Sequence, residues 1–202
     1  MMNISADNKA AGSRKGHIFV ISGPSGAGKD TIIEGAQRQL KLHQVITATT
    51  RPKRDTEIAG VHYLFMTNQQ FLDLRASGGM LESAQVYEYW YGIPYASVQK
   101  AIDNGLDTLI KVDTQGAKTL KQILPQSTFI FIRPERVEDL RNRLSRRNSE
   151  TDEQLHIRIQ KAEAELQEQV WFDYVVVNAN GRQEATIALV IQLIQQIILS
   201  QK

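Results

Sequence analysis

The chain has 202 residues, 42% hydrophobic and 23% charged, with 13 Gly, 5 Pro and no Cys. That profile fits one globular domain with its own core and excludes disulfide frameworks, thiolate metal centres and a cysteine nucleophile. Lys and Arg total 24 against 22 Asp and Glu, a net charge of +2, too balanced for a broad nucleic-acid footprint.

Residues 1–15 hold no apolar h-region, so they read as an unstructured lead-in rather than a secretory signal, with the cytoplasm as the expected address. An apolar run at 17–21 has the length and continuity of a buried strand, and a helical pattern follows at 29–40. From 47 to 86 the pieces are shorter and more β-like, apart from a helical pattern at 68–76, which suggests a small inserted lobe. Pro94 suits the first position of a helix at 94–104, and Gly105 suits its left-handed cap. Apolar runs at 106–112, 128–132 and 174–177 alternate with helical patterns at 115–124 and 135–147. Thr151 and Gln154 form a capping-box signature opening a helix through Leu155, Ile159, Ala162, Leu166 and Val170. The apolar stretch 187–199 is interrupted by Gln192, Gln195 and Gln196; it fits an amphipathic helix and falls short of the roughly 20 apolar residues of a membrane span. Strands without alternation, separated by helices, predict a parallel sheet covered on both faces.

Gly23, four residues, Gly28 and Lys29 form the most specific short motif in the chain, set between the first strand and the first helix. Glycines let Gly23, Pro24, Ser25, Gly26, Ala27 and Gly28 fold around a phosphate with their available N–H groups inward. The helix adds its positive end, and the Lys29 ammonium reaches the β- and γ-phosphates. Asp30 stands where a Ser or Thr that ligates Mg²⁺ is usual. It could take the metal itself, leave that to Thr31, or simply place a favourable charge at the helix start.

The loop alone says nucleotide, not reaction. The block Thr49, Thr50, Arg51, Arg54, Glu57, Gly60, Tyr63 and Phe65 is more telling. Leu81, Glu82 and Ala84 follow it, then Tyr91 and Gly92, and then Val112, Asp113, Gln115, Gly116 and Ala117. With Arg143, Arg147, Val177 and Asn178, these residues make the chain resemble the guanylate kinases from about residue 16 onward. The resemblance implies an α/β fold of the P-loop NTPase type, a parallel sheet flanked by helices. It adds an inserted mixed-β lobe for the nucleoside monophosphate and a helical, Arg-rich lid. It implies a core of 16–46, 87–132 and 171–202, a monophosphate lobe of 47–86, and a lid with adjoining helices at 133–170.

By the same resemblance the chain moves a phosphoryl group from ATP to GMP or dGMP, with Mg²⁺. ATP would lie on residues 23–31 and Asn178. GMP would be bound by Thr47, Arg51, Arg54, Glu57, Tyr63, Glu82, Tyr91 and Asp113. Guanidinium forks and phenols suit a dianionic phosphate, and Glu82 would accept from guanine N1–H and its amino group. Lys29, Arg143, Arg147 and Arg158 would serve the transferring phosphoryl group. Six Arg lie between 133 and 147, beside three acids; Arg133, Arg136, Arg141 and Arg146 fit a solvated helix face with ion pairs, and an Asp139–Arg143 pair would do so too.

Two positions depart from the family. Ile93 replaces a hydroxyl after Tyr91 and Gly92, and Lys111 replaces the first acid of an Asp-x-Asp pair, where it could bridge to nearby acids or touch a phosphate. Two other readings remain beside the leading one: a small-molecule kinase like ribose 1,5-bisphosphate phosphokinase, and a catalytically silent guanylate-kinase-like binding module. No nucleic-acid or membrane partner is expected, and the oligomeric state is open.

Overall fold

The computed structural model describes residues 16–86, 88–145 and 152–200, with backbone only at 152 and 154. Expectations for residues 1–15, Arg146, Arg147 and the Thr151–Gln154 capping pair lie outside the described residues.

The core sheet has five parallel strands. In chain order they are β1 (Ile18–Ser22), β2 (His43–Gln44), β7 (Thr108–Lys111), β8 (Thr128–Pro134) and β9 (Tyr174–Asn178), arranged β2-β7-β1-β8-β9. β1 is central, so the chain leaves its carboxyl end at the point where neighbouring connections diverge, the place where open α/β sheets bind ligands. Its residues Phe19, Val20 and Ile21 are fully buried, which explains an apolar run without alternation.

A second, four-stranded mixed sheet forms the inserted lobe. β3 (Ala48–Thr49) lies parallel to β4 (Leu64–Phe65) and antiparallel to β6 (Tyr89–Pro94), which pairs antiparallel with β5 (Met80–Val86). Because β6 pairs along β5, the lobe's sheet continues through Pro94, past the expected boundary at 86. Pro94 ends that strand rather than opening the helix: α3 begins at Tyr95.

Helices α1 (Lys29–Gln39) and α7 (Gln183–Ser200) pack together on one face of the core sheet. Phe19, Ile21, Ile32, Ile33, Ala36, Val176, Ile187, Val190, Ile191 and Ile194 form one buried cluster there. By length and composition α7 could cross a membrane, at mean hydropathy 1.3, but these isoleucines and Val190 are spent on the core. The opposite face is covered by α3 (Tyr95–Asp103) and α4 (Thr114–Ile123), around Val20, Val98, Ile110, Leu120, Phe129 and Phe131. In the lobe, α2 (Asn68–Ala76) opens with a capping box between Thr67 and Gln70.

Two further helices, α5 (Val137–Ser145) and α6 (Asp152–Gln167), bury Leu140, Leu144 and Ala162 between them, and Arg141 pairs with Glu163 at 2.6 Å. The expected helix through Val170 stops earlier. A tight 3-10 turn, Glu168–Trp171, follows Gln167, and Val170 is 84% exposed.

Candidate active site

The phosphate loop runs from Ser22 into α1. Gly28 adopts φ +90°, and a Cβ there would stand 2.4 Å from Asn178 Nδ2, so backbone conformation and close approach both demand glycine. Asn178 braces the loop, donating to the Ala27 carbonyl at 2.8 Å. Lys29 folds back on the same loop, its Nζ 2.6 Å from the Gly23 carbonyl and 3.0 Å from that of Pro24. Burial lowers its pKa, with Lys111 adding to that effect while Glu165, Asp30 and Asp113 oppose it. A lysine whose hydrogen bonds among the described residues go to loop carbonyls could exchange them for phosphate oxygens.

α6 supplies two more groups. Arg158 Nη2 donates to Ser25 Oγ at 2.9 Å, and the Ser25 N–H donates to Glu165 Oε2 at 3.3 Å. The Glu165 carboxyl is buried, and that burial raises its pKa against the pull of Lys29. Sequence reasoning missed Glu165; its signal was an acid on the buried stripe between Ala162 and Leu166. Arg143 reaches the loop from α5, donating to the carbonyls of Ala27 at 3.3 Å and Asn178 at 2.9 Å and to Asn180 Oδ1 at 2.7 Å. The Asp139–Arg143 pair expected within the helix gives way to a shared partner, since Asp139 accepts from the Asn180 side-chain amide.

Arg51, Tyr63 and Tyr91 gather on the lobe. The Arg51 guanidinium lies 5.5 Å from the Tyr63 ring centroid, and the Tyr63 and Tyr91 rings meet edge-on at 6.1 Å. Glu57 faces the cluster from behind: it pairs with Arg51 at 2.6 Å and accepts from the Arg54 N–H at 2.8 Å. Glu57 thereby orients a guanidinium and keeps its own carboxyl below the usual range: burial opposes that lowering, but Arg51 and Arg54 outweigh it. The Arg54 side chain is exposed at the lobe's rim.

Thr47 and Glu82, also on the lobe, are each 7% exposed. Burial, with Asp113 adding to it, pushes the Glu82 carboxyl up to about 8. Gly116 makes room for it: a Cβ there would stand 3.1 Å from all three carboxyl atoms. Asp113 caps α4 through Oδ1, accepting from the Gly116 N–H at 2.8 Å, while its buried Oδ2 has no hydrogen-bond partner among the described residues. A buried acceptor beside a carboxyl whose pKa burial raises is an arrangement that donors from a ligand would complete. Ile93, directly across the strand pair from Glu82, is fully buried in the core cluster. It therefore belongs to the packing of the sheet and adds to the dry surroundings of Glu82.

Lys111 joins the two halves. Its Nζ lies 2.6 Å from Asp30 Oδ1 and 3.1 Å from Tyr63 Oη. Burial works against its charge, but Asp30 and Tyr63 outweigh burial and raise its pKa.

A parallel sheet whose central strand feeds a glycine-rich loop, a half-buried lysine and a cluster of cations and phenols tied to that loop's helix defines a phosphate-loop kinase. The family model for guanylate kinase matches residues 15–196. A guanylate kinase of Clostridium acetobutylicum is 37% identical, the alignment covering 94% of this chain and 88% of that protein. One from Carboxydothermus hydrogenoformans is 41% identical over 81% of each. The crystal structure of guanylate kinase from Anaplasma phagocytophilum superposes with a TM-score of 0.72 at 27% identity, covering 90% of this chain and 86% of that one. The chain belongs to the guanylate kinase family.

Proposed function

We propose that the chain transfers the γ-phosphoryl group of ATP to GMP or dGMP, giving ADP and GDP or dGDP. One observation carries this reading: Lys111 ties the first turn of the phosphate-loop helix to the Arg–Tyr cluster, and two residues along the chain Asp113 neighbours a buried carboxyl, Glu82, suited to guanine. Guanine offers two adjacent donors, N1–H and the amino group, which Glu82 accepts once ionised, with Asp113 Oδ2 as a neighbouring acceptor. Adenine lacks that pair and would leave the carboxylate unsatisfied. Thr47, buried just before β3 of the same sheet, would join Glu82 in reading the base.

In this reading Gly23, Pro24, Ser25, Gly26, Ala27, Gly28, Lys29, Asp30 and Thr31 hold the ATP phosphates, with Asn178 bracing the loop. Arg51, Tyr63 and Tyr91 hold the acceptor phosphate, Glu57 fixes Arg51, and Arg54 closes the rim. Arg143, Arg147 and Arg158 neutralise charge spreading over the transferring group. The acceptor oxygen is already anionic at neutral pH, so no strong general base is required. Closure of lobe and lid over both substrates would exclude water and suppress ATP hydrolysis.

Mg²⁺ fits this arrangement as a companion of the nucleotide. Among the described residues no three His, Cys, Asp or Glu side chains form a cage, and Mg²⁺ commonly takes one or two carboxylates together with substrate phosphates. Asp30, 64% exposed at the first turn of α1, or Thr31 beside it would hold the cation, Asp30 Oδ1 being already engaged by Lys111; the cation supplies charge neutralisation and alignment of the phosphates. Bound to soluble metabolites in this way, the chain would act in the cytoplasm.

The test is a panel of GMP, dGMP, AMP, UMP, CMP and ribose 1,5-bisphosphate, with ATP and Mg²⁺, read by ADP release. Turnover confined to GMP and dGMP is expected. Preference for ribose 1,5-bisphosphate, or no turnover with any acceptor, would overturn the reading.

A further inference from the structure

Lys111 ends β7 opposite Ile21 of β1, beside the strand that feeds the phosphate loop. Its side chain is only 16% exposed, whereas its partner Asp30 is 64% exposed. Such a half-exposed pair contributes little to stability, so ordering a lysine there calls for another explanation. The second bond of Lys111, to Tyr63 Oη at 3.1 Å, leads into the Arg51–Tyr63–Tyr91 cluster. The ammonium also lies 4.8 Å from the Tyr63 ring centroid. One cation thus touches the first turn of the donor helix and the acceptor lobe together.

The hydrogen-bond inventory points the same way. An ammonium has three N–H donors and no acceptor; Asp30 and Tyr63 take two. Since Tyr63 oxygen accepts from Lys111, its own O–H is left to donate elsewhere. A third N–H, a phenolic O–H and the Arg51 guanidinium together present donors and positive charge, which suits a phosphate monoester dianion.

We propose that Lys111 is a direct ligand of the acceptor's phosphate group, held in place by Asp30. This rests on the reading of Arg51, Tyr63 and Tyr91 as the acceptor cradle. Arginine supplies a planar fork for two phosphate oxygens, and lysine supplies a compact charge on the side that faces the donor loop. The unusual acid at position 30 and the unusual base at position 111 are then one device: Asp30 anchors the ammonium between the two phosphate sites.

Calorimetric titration of the full chain with GMP and with guanosine, without ATP or metal, tests this. Lys111→Met should weaken GMP binding roughly tenfold or more, as expected for losing a charge-assisted bond, and leave guanosine within twofold. Lys111→Gln, which keeps a donor without charge, should show the same split, and Lys111→Arg should retain most GMP affinity. Unchanged GMP affinity in the Met and Gln variants, or parallel loss for guanosine and GMP, would overturn the proposal. Arg51→Met in the same assay separates the two ideas. If it discriminates GMP from guanosine while Lys111→Met does not, only the role of Lys111 falls. If neither discriminates, the acceptor cradle itself is misassigned.

Discussion

A carboxyl that is protonated at neutral pH is a poor acceptor for guanine. With Glu82 at about 8 in the free chain, binding GMP near pH 7 must expel a proton from it. GMP affinity should therefore strengthen several-fold from pH 7 to 8.5 and level off above, and titrations in buffers of different ionisation enthalpy would reveal the released proton. Glu82→Gln should abolish that dependence and narrow the preference for GMP over AMP. Stability has its own sign: a carboxyl raised above its unfolded value holds its proton longer in the native state. The contribution of Glu82 to stability thus falls as pH rises from about 4.5 toward 8. Lys29→Ala should eliminate ADP release while leaving the thermal midpoint close to that of the parent, since its bonds go only to loop carbonyls. Near-normal turnover would refute its assignment to the β- and γ-phosphates.

At the scale of elements, the capping box of α2 offers a clean contrast between folding and chemistry. Thr67 accepts from the Gln70 N–H at 3.2 Å and lies away from the crevice, so Thr67→Ala should cost about 1 kcal/mol of unfolding free energy. Urea titration would read that loss, with KM for GMP unchanged. Elements also differ in how plainly the sequence announces them. β1, β7 and β8 were legible because strands buried within a covered sheet need apolar residues at nearly every position; β9, at the sheet edge with Tyr174, Val175 and Val177 exposed, was legible from its β-branched run alone. β2, β3 and β4 span two residues each, too few to carry any period, and the lobe's limit at Pro94 depends on strand pairing. The phosphate loop was legible because its chemistry is contiguous. The Asp30–Lys111 contact spans 81 residues and Ser25–Glu165 spans 140, so neither leaves a local trace. Ile93 invites reading as a lost base contact, and only its burial opposite Glu82 gives it a packing role.

For the whole molecule, support for the loop-bearing helix comes from a distant part of the chain. Ile187 of α7 lies against Gly35 of α1, where a Cβ would approach its Cδ1 to 2.5 Å, and it joins the cluster beneath β1. Ile187→Ala should destabilise the fold by about 2–5 kcal/mol, lowering the denaturant midpoint.

That dependence has a consequence for biosynthesis. β1, the phosphate loop and α1 are synthesised well before α7, yet the apolar surface under them is covered only when α7 emerges. During translation the loop-bearing half must wait with its greasy side uncovered until α7 docks.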